Sequence, residues 1–167
     1  MKTKWLKFIG VFLLLLIFDA ALKYHVFTSI PKMSFLHPFY PYGGIGVFKD
    51  FLGIQFSINH VENLGAAWGM LSEYSTLLFY VRVVVVLCLM VYLVLFNRVR
   101  RREFPLLLII TGAVGNILDY ILYGHVIDMF HFKFWNYSYP VFNLADAMIT
   151  IGIIWLLVLS FVSSKKS

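Results

Sequence analysis

Two aspartates, Asp128 and Asp146, stand at the two ends of the connection between the last two apolar segments of this 167-residue chain. Carboxylates held close together cannot both ionise easily, so such a pair shares a proton: one member acts as general base on water while the other acts as general acid. That arrangement hydrolyses an amide without a metal or a covalent intermediate. Other hydrolytic apparatus is missing from the sequence, which has no His-Glu-x-x-His metal motif and no Gly-x-Ser-x-Gly elbow. His25, His37, His60, His125 and His131 lack metal-ligand spacing and read as interfacial polar residues. Cys88, the single cysteine, lies inside a hydrophobic run and reads as a small buried apolar residue. No metal or cofactor is implied.

The elements that must position these groups are membrane spans. Hydrophobic residues make up 61% of the chain and charged residues 13%, and the mean hydropathy is +0.85, too apolar for a soluble domain of this length. Four runs, about 5–23, 77–96, 105–124 and 141–162, are each near the 20 or so residues that cross a bilayer core. Asp19 falls where a signal-peptidase site would need small neutral residues, so the first run reads as a retained helix. The net charge of +6 is distributed as topology signals rather than as a nucleic-acid surface. Arg98, Arg100, Arg101 and Arg102 between the second and third spans, with Lys165 and Lys166 at the C-terminus, put that loop and both termini in the cytoplasm. Arg82, in the outer third of the second span, reads as a snorkelling side chain.

The outer connections are then 24–76 and 125–140. The first is punctuated by Pro31, Pro38, Pro41, Gly43, Gly44 and Gly46, and its segment Gly53 to Val61 alternates like a half-buried strand. The second, Met129 to Pro140, is dense in aromatic residues, which favour the headgroup level. The expected fold is a single, mainly α membrane domain: a four-helix bundle with a small extracytoplasmic β platform of little core, and an aromatic interfacial loop.

Polar residues recur at helical spacing near the outer membrane level. Asp19 and Lys23 are one turn apart and can pair. Asn116 and Asp119, and Asn143 and Asp146, are each three apart. Gly112 and Gly115 would let a neighbouring backbone approach. In NLGAAWG, Asn63 to Gly69, the small residues around Gly65 leave the backbone accessible to an extended substrate, and Asn63 offers it a donor and an acceptor.

The blocks DAALK (Asp19 to Lys23), NLGAAWG, GAVGNILDY with GHVID (Gly112 to Asp128) and FNLADAMITIG (Phe142 to Gly152) resemble, in order and spacing, those of bacterial lipoprotein signal peptidase, or signal peptidase II. The resemblance spans essentially the whole chain. It implies an aspartyl endopeptidase of the bacterial inner membrane, working near the outer face. Such enzymes cut diacylglyceryl-modified prolipoproteins on the N-terminal side of the lipidated cysteine and are blocked by globomycin. Carried over by motif, Asp128 and Asp146 match the catalytic pair, while Asp19, Lys23, Asn63, Asn116, Asp119 and Asn143 match supporting or substrate-contacting positions. Three residues depart from the family pattern: Ala20 where glutamine is usual, Trp68 for phenylalanine, and Tyr120 for the arginine after Asp119. Tyr120 can hydrogen-bond but brings no cation. The expected partners are the lipidated substrate, membrane lipids and globomycin-like inhibitors, with no nucleic acid, and the protein is expected to be a monomer. The competing reading is a small proton-coupled transporter built on the buried Asp, Asn and Lys cluster. It would need polar residues spread through the membrane thickness, whereas here they crowd at the outer third.

Overall fold

A computed structural model describes residues 2–34, 36–37, 39–65, 72–135 and 137–164. Four helices carry the apolar runs: α1 (Lys2–Ser29), α2 (Ser75–Val91), α3 (Glu103–Tyr123) and α4 (Leu144–Ser164). Each lies in a stretch long and apolar enough to cross a membrane. Their outward residues, such as Leu14, Leu87 and Leu157, are apolar and exposed, as lipid requires. Cys88 shares this outward placement instead of being buried. The helix α1 has 28 residues, about 42 Å at 1.5 Å per residue, against a hydrocarbon core of roughly 30 Å. It therefore outlasts the span read from sequence, continuing past Lys23 to Ser29.

The chain divides into two compact units. The first comprises Met1–Asp19, Phe79–Leu118 and Leu144–Ser167. Its apolar clusters both draw on α3: Leu106 and Ile110 pack with Val86 and Leu93, and Leu108 packs with Ala145 and Met148. Gly112 makes the close packing possible, because a Cβ there would collide with the Ala145 carbonyl oxygen and lie 2.9 Å from Ile149 Cγ1.

The second unit comprises Ala20–Leu78 and Asp119–Asn143. It holds a four-stranded antiparallel sheet in the order β1 (Ile45–Phe51), β2 (Ile54–Asn63), β3 (Val126–Phe134), β4 (Tyr137–Ser138). Thus the aromatic connection is not only an interfacial loop: most of it is β3, paired along β2. The register explains its composition. Ile54, Phe56 and Ile58 face Phe134, Phe132 and Phe130 across the pair, so one face is wholly apolar, and Phe56 stacks on Phe132 at 4.4 Å. The alternate positions carry Ser57 opposite His131, both buried. Ser57, Asn59 and His131 are thus buried in the sheet, while the aromatic face is half-buried. This unit also has a core of its own, where little was expected: Val26 from α1 and Ile30, just past its end, pack on Ile127 and Met129 from β3. The extra length of α1 carries the chain to that core.

Candidate active site

In the second unit Asp128 lies on β3 and is buried. Its Oδ2 accepts a hydrogen bond from Asn63 Nδ2 at 2.9 Å, and its Oδ1 accepts one from Asn143 Nδ2 at 2.7 Å. Local chain geometry aims both amides. Asn63 ends β2, and its own Oδ1 accepts the Gly65 N–H at 2.9 Å, which turns the amide nitrogen toward the carboxylate. Asn143 is delivered by a bridge between Phe142 and Phe130: the Phe142 carbonyl accepts from Met129 and Phe130 N–H, and Phe142 N–H donates to the Phe130 carbonyl.

Asp119 braces the same strand. Its Oδ2 pairs with Lys23 Nζ at 2.8 Å, both side chains being almost fully buried, and accepts the Ile127 N–H at 3.3 Å, one residue before Asp128. A buried ion pair is tolerable only with good geometry and further hydrogen bonds, and this one has both. Tyr120, beside it, reaches Thr76 Oγ1 and Ser75 Oγ, each at 3.5 Å, across to the start of α2. At that distance these are weak contacts.

In the first unit Asp146 lies in the opening turn of α4 and is half-buried. Asn116 Nδ2 donates to its Oδ1 at 2.8 Å. Asp19 Oδ1 accepts the Ala145 N–H at 3.0 Å, so a carboxylate from α1 satisfies one of the free amides at the α4 N-terminus, where negative charge is favoured. Asp19 and Lys23, one turn apart on α1, thus each reach a different helix.

The family model described as signal peptidase (SPase) II matches residues 11–162. The chain belongs to the signal peptidase II family. A protein named lipoprotein signal peptidase from Chlamydia pneumoniae is 36% identical over 115 residues, 68% of each chain. Another of that name from Clostridium tetani is 38% identical over 118 residues, 68% of this chain and 72% of its own. A solved structure described as a bacterial membrane enzyme aligns over 96% of this chain and 91% of its own, with a TM-score of 0.79 and 25% identity. The protein is a multi-pass membrane protease of the signal peptidase II family, and the transporter reading has no support.

Of the sequence-derived signal peptidase II positions, Asp128, Asn63, Gly65, Asn143, Asp119, Lys23 and Tyr120 gather in the second unit, and Asp146, Asn116 and Asp19 in the first. Ala66, Ala67, Trp68 and Gly69 of the NLGAAWG block lie outside the described residues. The sequence reading missed a cluster beside Asn63. Glu62 Oε1 lies 2.7 Å from Lys32 Nζ, 3.2 Å from His125 Nε2 and 3.9 Å from His60 Nε2. Burial would raise the Glu62 carboxyl, but Lys32 and the two histidines outweigh it and hold the group below the usual range. Burial pushes His125 down despite Glu62, and burial with Lys133 nearby pushes His131 down. The alternation placing His60 and Glu62 two apart on one strand was the available signal. Among the described residues, no group of three or more His, Cys, Asp or Glu could hold a metal ion.

Proposed function

We propose that Asp128 and Asp146 are the catalytic pair of an aspartic endopeptidase that removes the signal peptide from diacylglyceryl-modified prolipoproteins, cutting on the N-terminal side of the lipidated cysteine. The observation that carries this reading is the anchoring of each carboxylate by an asparagine: Asn63 and Asn143 on Asp128, Asn116 on Asp146. Toward each carboxylate the amide nitrogens donate, so each carboxylate keeps an oriented plane with lone pairs directed by fixed partners. Asn143, a donor to Asp128, precedes Asp146 by three residues, so one short stretch of chain serves both.

In the proposed reaction one aspartate takes a proton from water as the water attacks the scissile carbonyl. The other, protonated, gives its proton to the departing amide nitrogen, and the pair is left ready to exchange roles. Lys23, Asp119, Asp19, Asn116, Asn63 and Asn143 position the pair. Gly65 and Tyr120 are proposed as substrate-side contacts, the latter through a hydroxyl rather than a cation. The protein is proposed to act as a monomer in the bacterial inner membrane and to be blocked by globomycin-like cyclic peptides.

Purified protein in detergent should cleave a lipidated prolipoprotein. Asp128→Asn and Asp146→Asn should each lower turnover by on the order of 10³ or more, with the double variant scarcely worse than either single. Cleavage near the wild-type rate in either single variant would remove that residue from the mechanism. The clustered arginines support an orientation with the 97–103 loop and both termini in the cytoplasm. Reporter fusions in that loop should register inside; an outside signal overturns the orientation.

A further inference from the structure

Within the first unit, a groove of about 310 Å³ runs between the early turns of α1, the end of α2 and the early turns of α3. Its floor is formed by the buried Leu93, Leu107 and Ile110, and its sides include Phe8, Phe12 and Val94. All the residues lining it are apolar or aromatic. Nothing in the peptidase reading uses it.

Two further features meet here. The helix α2 does not end as an α-helix but in a π turn, Tyr92–Phe96, closed by the Asn97 N–H donating to the Tyr92 carbonyl at 2.8 Å. Such turns are rare and concentrate at functional sites. This one turns Leu93 into the floor and leaves Val94, 59% exposed, on the wall facing lipid. At the same end of these helices stand exposed cations: Lys7 on α1, then Arg98, Arg100 and Arg101 just beyond the π turn.

Apolarity alone selects no occupant inside a bilayer, because bulk acyl chains are as apolar as leucine. The headgroup must do the selecting, and at this end of the helices the exposed cations Lys7, Arg98, Arg100 and Arg101 outnumber the half-buried Glu103. Basic sites between spans recognise anionic lipid headgroups in this way. We propose that the groove holds one acyl chain of an anionic phospholipid whose phosphate lies against Lys7, Arg98 and Arg100. The lipid then occupies the end of the bundle that carries the N-terminus and the arginine loop. Its site shares no residue with the Asp128 and Asp146 groups.

Native mass spectrometry of the purified protein, titrated with phosphatidylglycerol or with phosphatidylcholine of the same chains, tests the proposal. Phosphatidylglycerol adducts should be retained preferentially. Arg98→Gln and Arg100→Gln should each lower that preference roughly fivefold, and Val94→Trp, which fills the groove from its exposed wall, should remove adducts of both lipids while the melting temperature stays near wild type. If Val94→Trp does not fold, Ile9→Trp, 53% exposed and also lining the groove, serves the same purpose. Equal retention of the two lipids by the wild type, a preference untouched by these variants, or displacement by soluble glycerophosphate would overturn it. No peptide is cleaved in this experiment, so its failure and a failure of the peptidase reading remain distinct.

Discussion

Asn143 shows how little chemistry a supporting residue needs in order to matter. It is fully buried, and its amide nitrogen sits 2.7 Å from Asp128 Oδ1. Asn143→Ala removes a hydrogen bond to a charged group, worth about 1.5–3 kcal/mol, and frees the carboxylate to rotate. Turnover should fall roughly 10- to 100-fold with little change in KM for a substrate gripped by its acyl chains. Unchanged turnover would show that Asn63 alone suffices to hold Asp128. At this scale much was legible in the sequence. The asparagine and aspartate spacings drew attention to the right residues, since charge inside a span is costly enough to require a reason. The long-range partnerships were not legible. Local spacing suggested Asp19 with Lys23, but the contacts of Lys23 with Asp119 and of Asp19 with the start of α4 are fixed by how helices pack rather than by one helix's own repeat.

At the scale of elements, the close packing of α3 depends on two missing side chains, one facing α4 and one facing Asp19 on α1. A Cβ on Gly115 would come within 2.7 Å of Asp19 Oδ2, the end of a side chain that can shift; a Cβ on Gly112 would meet the Ala145 backbone carbonyl, which cannot. Alanine is intrinsically better than glycine in a helix by about 1 kcal/mol, while overpacking costs about 1–3 kcal/mol. The clash should therefore prevail at Gly112 and be closer to balance at Gly115. Thermal unfolding in detergent should show Gly112→Ala clearly less stable than Gly115→Ala; equal melting temperatures would mean that the helices separate easily. The packing role of these glycines could be read from the sequence because small residues beside an intramembrane asparagine have few other uses. The strand β3 could not be read as easily. Its run of phenylalanines satisfies an interfacial loop and a one-sided sheet equally well, and only the pairing with β2 decides.

For the molecule as a whole, stability should depend on pH in one direction. His125 and His131 have folded-state values below the ordinary histidine value of about 6.5. The unfolded chain therefore binds more protons than the folded one once the pH drops below that value, and the stability present at neutral pH is lost as acidification proceeds toward the folded values. Glu62, also held low, adds loss of the same sign at more acidic pH. The melting temperature in detergent should be level from pH 8 to about 7 and fall below about 6.5; a rise between pH 7 and 5 would contradict this. Ribosomal synthesis, finally, delivers Lys23 long before Asp119. Lys23 is fully buried in the folded protein, and its contact with Asp119 can form only once α3 is present. Until then the outer end of α1 can stay among headgroups or water. Burial of that lysine therefore waits on the third span, and the order of translation becomes part of how the chain finds its fold.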